Sequence, residues 1–186
     1  MKQLTYAERF RPQYHFSMQQ GWINDPNGLV YYDGVYHLFC QHYANDIKWG
    51  PMHWSHATSA DLVNWQEQPI ALYPDERGTC YSGSAVVDWR NTSGLGEHGE
   101  PALLAFYTAA GSKVTPPKPF TQCLAFSTDN GRTWRKYEGN PVLQNVVGAN
   151  RDPKVFWHVP TKRWIMVLYL EGGTFGLFGS PDATNW

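Results

Sequence analysis

Two aspartates occupy segments whose side chains could carry out chemistry on a sugar. Asp25 lies in Trp22–Gly28 (WINDPNG), and Asp152 lies in Arg151–Pro153 (RDP). Cleavage of a glycosidic bond calls for carboxyl groups that face one pocket, where they act as nucleophile, base or acid. Asp-Pro and Asn-Gly are also ordinary turn formers, so each segment taken alone could be a turn. The chemistry therefore depends on whether the fold brings the two aspartates together.

A repeated pattern of serine, aspartate and tryptophan indicates how the fold could do so. It occurs at Ser59–Trp65, Ser127–Trp134 and Ser180–Trp186, and the closing tryptophans are 69 and 52 residues apart. Each copy reads as a strand end, a turn built on Ser and Asp, and a Trp that opens the next strand. A repeat of this length made only of strands is typical of β-propeller blades.

Strand pairs are predicted upstream of each copy. Leu29–Tyr32 and Val35–Cys40 are joined at Asp33-Gly34, which is a strong hairpin signal. The other predicted pairs are Ser84–Asp88 with Ala102–Thr108, and Lys154–Trp157 with Arg163–Leu170. No convincing amphipathic helix is present, so the sequence predicts an all-β fold with about four strands per repeat.

The first strand of each propeller blade lines the central channel, so residues at the entrances to these strands converge. Asp25 is predicted to precede the first strand of repeat one, and Asp152 that of repeat three. Tyr81–Ser84 (YSGS) takes the corresponding place in repeat two and offers a ring and a hydroxyl. Carboxylates, an arginine, amides, hydroxyls and indoles make a site for a polyol, whereas a phosphate site would need more positive charge.

The repeats predict three blades, at about residues 25–70, 80–143 and 150–186, of which the last is incomplete. This amounts to about two and a half to three blades, and propellers close with about four to eight. An open ring exposes edge strands, which promotes aggregation. We therefore expect residues 1–186 to be the N-terminal part of a longer propeller domain. Assembly of several copies into a closed ring is the alternative.

Composition limits the partners and the location. A formal charge of −1 over 186 residues gives no reason to expect nucleic acid or an anionic membrane as partner. The N-terminus lacks the apolar core of a signal peptide, so we expect a cytoplasmic protein. Cys40, Cys80 and Cys123 lack metal or redox spacing, which predicts buried free thiols and a reducing compartment. The seven histidines show no ligand spacing, and neither a metal nor a cofactor is predicted.

Taken together, these segments resemble glycoside hydrolase family 32, which contains invertases, levanases and inulinases. The resemblance covers essentially the whole chain and rests on five segments, namely Arg11–Phe16 (RPQYHF), Trp22–Gly28, Trp49–Trp54 (WGPMHW), Tyr81–Ser84 and Arg151–Pro153. Ile23 stands where Met is commoner in the family, and Tyr81 stands where Phe is commoner. Neither residue carries a reacting group, so neither departure weakens the resemblance.

The resemblance implies a five-bladed propeller, normally followed by a β-sandwich domain, and a retaining double displacement on a β-fructofuranosyl unit. Asp25 would be the nucleophile that forms a covalent fructosyl ester, and Asp152 would stabilise the transition state. Arg151 would orient Asp152 and bond to the sugar. The positions that match the rest of the fructosyl subsite are Trp22, Asn24, Gln41, Trp49, Tyr81 and Ser82. The implied partner is a fructose-containing oligo- or polysaccharide.

A retaining enzyme also needs a carboxyl acid/base about 5–5.5 Å from the nucleophile. In the family this is a Glu in a Glu-Cys-Pro-like segment after the region of the third blade. Glu97, Glu100, Glu138 and Glu171 are not followed by Cys, and Glu171 reads better as a strand-end residue before a turn. We therefore expect the acid beyond Trp186, and the chain alone to be poorly active.

Three other functions stay open. A fructosyltransferase would use the same nucleophile and pass the fructosyl group to a sugar instead of water. An arabinan-cleaving propeller glycosidase would not be expected to carry Trp22–Gly28, and its inverting chemistry would need carboxylates about 6.5–9.5 Å apart. A non-catalytic propeller that binds sugars or proteins would have no need for the carboxylate of Asp25.

Overall fold

The computed structural model describes residues 6–12 and 14–186, apart from the side chain of Lys113. Eleven strands in this part of the chain form three antiparallel sheets. In chain order they are β1 (Trp22–Tyr32), β2 (Val35–Tyr43), β3 (His53–Ser59), β4 (Gln66–Leu72), β5 (Thr79–Val87), β6 (Leu103–Ala110), β7 (Thr121–Ser127), β8 (Arg135–Lys136), β9 (Arg151–His158), β10 (Arg163–Tyr169) and β11 (Phe175–Ser180). A 3₁₀ turn, Gly111–Lys113, follows β6. Over the described ranges, no helix has the length and apolar character needed to cross a membrane.

The three sheets consist of β1–β4, β5–β8 and β9–β11, and within each sheet every strand pairs with its neighbour in the chain. The predicted hairpin forms: Tyr32 pairs with Val35, and Asp33 and Gly34 have φ of 47° and 79°. Positive φ at both central residues is what a two-residue hairpin loop requires. Strand β5 packs beside both β1 and β9, so the three sheets radiate from neighbouring inner strands. The prediction of an all-β fold is confirmed.

Two apolar layers hold the sheets together. Between the first and second sheets, the rings of Phe39 and Trp54 lie 5.5 Å apart, and Trp54 meets Tyr107 edge-on at 6.4 Å. Between the second and third sheets, Phe106 and Met166 are fully buried in a separate cluster. Each buried side chain of this size contributes about 1.5–3 kcal/mol. Many of the aromatic residues in the sequence therefore serve the core.

The three cysteines are buried and free, as predicted. Burial raises the pKa of the Cys40 and Cys123 thiols to about 11 and that of Cys80 to about 12. The thiols therefore stay protonated near neutral pH and behave as small apolar side chains.

The repeated pattern forms the same turn at the outer edge of each sheet, called here the Ser-Asp-Trp turn. In Ser59–Trp65, Ser59 Oγ accepts bonds from two backbone N–H groups at 3.1 and 2.9 Å, and Asp61 Oδ1 accepts two more at 2.9 and 2.7 Å. Trp65 Nε1 donates to the carbonyl three residues back, at 3.1 Å. Ser180–Trp186 repeats these bonds. In the first two copies the Trp immediately precedes β4 and β8, as predicted.

The site segments lie inside the inner strands, whereas the sequence predicted them just ahead of those strands. Strand β1 begins at Trp22, β5 at Thr79 and β9 at Arg151. Each of these strands shifts register at the site, and the shifts fall between Ile23 and Pro26, between Tyr81 and Gly83, and between Arg151 and Lys154. Pro and Gly read as turn formers, but on an edge strand a β-bulge accommodates both.

Candidate active site

Asp25 lies in the bulge of β1, between Ile23 and Pro26. A bulge leaves residues unpaired and takes their side chains out of strict alternation, so it can re-aim a side chain. The carboxylate of Asp25 is exposed and accepts a hydrogen bond from Ser82 Oγ, which lies 3.0 Å from Oδ2. Ser82 belongs to the bulge of β5. A hydroxyl from the second sheet therefore orients a carboxylate of the first.

Asp152 lies in the bulge of β9, with a backbone φ of 61°. This left-handed conformation is uncommon for a residue other than glycine and is more often seen for Asp and Asn. Its backbone N–H donates to Thr108 Oγ1 at 3.2 Å, and Thr108 in turn donates to Gln122 Oε1 at 2.7 Å. Thr108 and Gln122 are fully buried. A buried polar chain on β6 and β7 thus supports the bulge that presents Asp152.

Arg151 stands beside Asp152 and is held from two sides. Its Nη1 donates to the Ala149 carbonyl at 3.0 Å, and its guanidinium lies 4.6 Å from the centre of the Tyr169 ring. Its Nε is 3.7 Å from Asp152 Oδ2. At this distance the pair is a charge contact more than a close hydrogen bond, so donor groups of the guanidinium face the pocket for another partner.

One pocket of about 200 Å³ collects most of the predicted site residues. Its lining consists of Asn24, Asp25, Gln41, Trp49, Tyr81, Ser82, Arg151 and Asp152. Trp22, which was predicted as a wall, does not line this pocket. It pairs with Tyr43 ahead of the β1 bulge, so the bulge that turns Asn24 and Asp25 inward does not redirect its ring.

The walls combine rings and amides. Trp49 is 43% exposed, and its ring meets that of Tyr81 edge-on at 6.5 Å. Tyr81 is braced from behind by Phe120, edge-on at 5.6 Å. Gln41 is buried, and its Nε2 donates to the Cys80 carbonyl at 2.9 Å, which leaves its amide oxygen available as an acceptor. Trp49 and Gln41 therefore both contribute to the lining of the pocket.

The two carboxylates share one electrostatic environment. Burial raises the pKa of the Asp152 carboxyl, the Arg151 guanidinium opposes that rise, and the negative charge of Asp25 adds to it. Burial also raises the pKa of the Tyr81 phenol, which therefore stays neutral. A pocket with an oriented carboxylate, a second carboxylate beside an arginine, and a phenol suits attack on a polyhydroxylated carbon centre.

Sequence reasoning missed the residues behind the pocket. Thr108 and Gln122 support Asp152, Phe120 braces Tyr81, and Tyr169 braces Arg151. The only signal was polar residues in otherwise apolar strands: β6 reads LLAFYTAA and β7 reads TQCLAFS, and both strands are almost entirely buried. A buried polar residue in such a strand requires a partner, which here lies in the next strand or at the site.

Among residues 6–12 and 14–186, the lining of this pocket contains no carboxylate besides Asp25 and Asp152. Glu171 lies elsewhere: its Oε1 accepts a bond from the Ala149 N–H at 3.2 Å and so ties down the loop before β9. The same described residues contain no group of three or more His, Cys, Asp or Glu side chains able to hold a metal ion.

Comparison with known proteins places these features in a family. Residues 15–186 match the model of the glycosyl hydrolases family 32 N-terminal domain. A levanase of Bacillus subtilis (strain 168) is 50% identical over 184 residues, which cover 97% of this chain and 26% of the levanase. The crystal structure of the exo-inulinase of Aspergillus awamori superposes with a TM-score of 0.88 at 38% identity, covering 98% of this chain and 40% of that one.

A third relative adds a bound sugar. The β-fructofuranosidase of Schwanniomyces occidentalis, complexed with fructosyl-erythritol, superposes with a TM-score of 0.86 at 42% identity, covering 95% of this chain and 35% of that one. The fold is therefore that of the family 32 propeller enzymes. The chain spans about a quarter of the length of the levanase and less than half of either solved chain.

Proposed function

Because the chain belongs to glycoside hydrolase family 32, we propose that it forms part of a retaining hydrolase of β-fructofuranosides such as sucrose, inulin or levan. The observation that carries the proposal is the convergence of Asp25 and Asp152, from two blades, on one small polar pocket. The relatives support it: they include a levanase, an exo-inulinase and a β-fructofuranosidase that holds fructosyl-erythritol.

In this proposal Asp25 is the nucleophile. Its carboxylate attacks the anomeric carbon of the fructosyl unit while the bond to the leaving oxygen breaks, and the product is a fructosyl ester of Asp25. Water then attacks the same carbon and releases Asp25 as a carboxylate. The Ser82 hydroxyl, 3.0 Å from Oδ2, fixes the direction of attack because it holds one carboxylate oxygen and leaves the other for the carbon.

Asp152 stabilises the transition state. As positive charge develops on the sugar ring, a nearby carboxylate that also accepts bonds from ring hydroxyls gains attraction. Arg151 lowers the pKa of Asp152 against the effect of burial, which favours the ionised form, and it donates to the sugar. Trp49 and Tyr81 enclose the apolar face of the ring, and Asn24 and Gln41 supply amide contacts to hydroxyls.

We further propose that the acid/base carboxyl group of the retaining mechanism is a Glu supplied from outside these 186 residues. A retaining enzyme needs that group about 5–5.5 Å from the nucleophile. The two carboxylates in the described lining already have roles as nucleophile and stabiliser. The 186-residue chain alone is then expected to hydrolyse sucrose far more slowly than the full-length protein, because the leaving group is not protonated.

The proposed partner is a fructose-containing oligo- or polysaccharide, with no nucleic acid and no membrane. The formal charge of −1 and the mixed polar lining of the pocket support this choice.

The test uses the full-length protein and measures two things, namely the stereochemistry of the product and the position of the covalent ester. NMR of the first product is expected to detect β-fructofuranose, since two displacements retain configuration. Rapid acid quenching followed by peptide mass spectrometry is expected to place a fructosyl group on the peptide that contains Asp25. Turnover with inversion, or an ester on a different residue, would contradict the proposal. Transfer of fructose to added sugar in place of water would identify the transferase alternative.

A further inference from the structure

A second cleft lies between the first two sheets, at the opposite end of β1 from Asp25. One part, of about 450 Å³, is lined by Tyr32, Asp33, Trp89, Glu100 and Asn130. An adjoining part, of about 340 Å³, shares three of these residues and adds Val35, His37, His56, Thr58, Gln68, Gly131 and Arg132. We call the whole the interblade cleft. The first part alone is more than twice the volume of the pocket at Asp25.

The interblade cleft has an exposed aromatic platform. Trp89 is 66% exposed, and its ring packs against that of Tyr32 with centres 5.5 Å apart. The Tyr32 hydroxyl donates to Glu100 Oε2 at 3.1 Å, so ring and carboxylate are held together. A flat, exposed indole buttressed from behind offers the surface on which the C–H face of a sugar packs.

Planar polar groups border the platform. Asn130 Nδ2 donates to Asp33 Oδ2 at 3.2 Å, and Glu100 also lines the cleft. Carboxylate and amide groups have two adjacent donor or acceptor atoms, which match neighbouring hydroxyls of a sugar. The exposed Arg132 adds donors at the rim. An aromatic face with several planar polar groups is the chemistry that recognises a neutral polyol.

A pair of buried histidines forms part of the wall of the cleft. His37 is 1% exposed and lines the cleft; its Nδ1 lies 3.0 Å from His56 Nε2, while its own Nε2 has no partner among the described residues. Burial lowers the pKa of both rings, so both are neutral. The pair therefore adds no charge to the cleft, which fits a neutral ligand.

We propose that the interblade cleft is a second carbohydrate-binding site, which holds sugar units of a fructan chain remote from the bond that is cleaved. The proposal rests on the function proposed above. Asp33 directly follows β1 and is eight residues from Asp25, about 25 Å at the rise of a strand. A disaccharide cannot reach both places, so this site distinguishes polymeric substrates from sucrose. A chain long enough to occupy both gains affinity through the raised local concentration of its second segment.

The first experiment measures binding without turnover. The full-length protein carrying Asp25→Asn is run through native gels that contain levan or inulin, with and without the added change Trp89→Ala. We expect Trp89→Ala to weaken retardation by at least one of the two fructans. The apparent dissociation constant should rise about tenfold, which corresponds to about 1.4 kcal/mol of binding free energy. Glu100→Gln, which keeps the volume of the side chain, is expected to weaken retardation in the same direction.

Tyr31→Ala is the matched control. Tyr31 is an aromatic residue of the same strand, 53% exposed, and it does not line the cleft because adjacent strand residues point to opposite faces. Retardation of this variant is expected to equal that of the parent protein. Unchanged retardation of folded Trp89→Ala and Glu100→Gln on both fructans would overturn the proposal.

The second experiment uses the active full-length protein. Trp89→Ala is expected to raise KM for the polymer about tenfold while KM and kcat for sucrose stay unchanged. Equal losses on sucrose and polymer would overturn the proposal, because the residue would then act on the fold or on the pocket at Asp25. If Asp25→Asn kept full turnover while Trp89→Ala still abolished retardation, the proposed function would fail and the carbohydrate site would stand.

Discussion

The outer turns and the inner bulges of the three sheets are built on opposite plans. The Ser-Asp-Trp turns Ser59–Trp65 and Ser180–Trp186 have the same hydrogen bonds, and Ser127–Trp134 is a close variant. The inner bulges occupy equivalent places but carry different groups: Asn24 and Asp25 in one, Ser82 in the next, and Asp152 in the third. The repeated outer turns therefore maintain the architecture, whereas the different residues of the inner bulges together form the site.

The carboxylates of the two regions also differ in the direction of their pKa shifts. Hydrogen bonds from the Asn64 backbone and side chain hold the pKa of Asp61 well below its usual range. Partial burial pushes the pKa of Asp182 upward, but bonds from Asn185 and the backbone prevail and hold it at about 2. Burial instead raises the pKa of Asp152. Structural carboxylates are surrounded by donors, whereas a carboxylate that must respond to a substrate has few fixed donors.

The largest expected effect is a loss of activity that occurs on substitution in an inner bulge and not in an outer turn. Asp25→Asn in the full-length protein should lower kcat on sucrose about 10⁴-fold or more, because the amide cannot attack the anomeric carbon. Its melting temperature should stay within a few degrees of the wild type, since Asp25 is exposed. Asp61→Asn, which changes the same group in an outer turn, is the control and should keep kcat per folded molecule. A small loss of kcat in Asp25→Asn would contradict the proposed role.

The next effect concerns the charge beside Asp152. Arg151→Gln should lower kcat/KM about 10²-fold, because donors to the developing charge are lost. It should also move the acidic limb of the pH–rate profile to higher pH, since Arg151 lowers the pKa of Asp152 and its loss leaves burial and Asp25 unopposed. Arg151→Lys should restore the position of the limb in part. A limb that does not move in Arg151→Gln would mean that Asp152 does not govern it.

Removing a hydroxyl from an outer turn should affect stability alone. Ser59 is buried, and its Oγ accepts two backbone N–H groups, so Ser59→Ala leaves both without a partner. We expect the free energy of unfolding to fall by about 1–3 kcal/mol. Urea denaturation measures this change, and kcat at a temperature where the variant is folded should be unchanged. Ser82→Ala is the contrast, with reduced kcat and little change in stability; the reverse pattern would refute the division between the regions.

The smallest effect is the acid dependence of an outer turn. The pKa of Asp182 is lowered to about 2 in the folded protein against an ordinary value of 3.8. Its contribution is therefore complete above about pH 4 and is lost as the pH falls through about 2. Asp182→Asn should flatten the dependence of unfolding free energy on pH between about 4 and 2. Denaturation at a series of pH values measures the slope, and an equal slope in both proteins would speak against the assigned bonds.

Several features of the fold could be predicted because they are local. The hairpin at Asp33-Gly34 and the Ser-Asp-Trp turns depend on residues within a few positions of each other, so their patterns are legible in the sequence. The bounds of β1 were missed because Pro26 and Gly28 read as a turn, whereas an edge strand with a bulge accommodates both. The interblade cleft was missed because Trp89 lies in a loop without a sequence pattern, and because Asn130 was read only as part of a Ser-Asp-Trp turn.

The sequence by itself determined the family, the strand repeat and the chemical character of each site segment, because these depend on residue types and short spacings. Only the tertiary structure decided which atoms meet. Ser82 Oγ reaches Asp25 across 57 residues of chain, and Thr108 supports Asp152 across 44. Those contacts depend on how inner strands of neighbouring sheets pack and where each bulge changes the register. A shift of one residue in register turns a side chain to the other face, so spacing alone could not specify them.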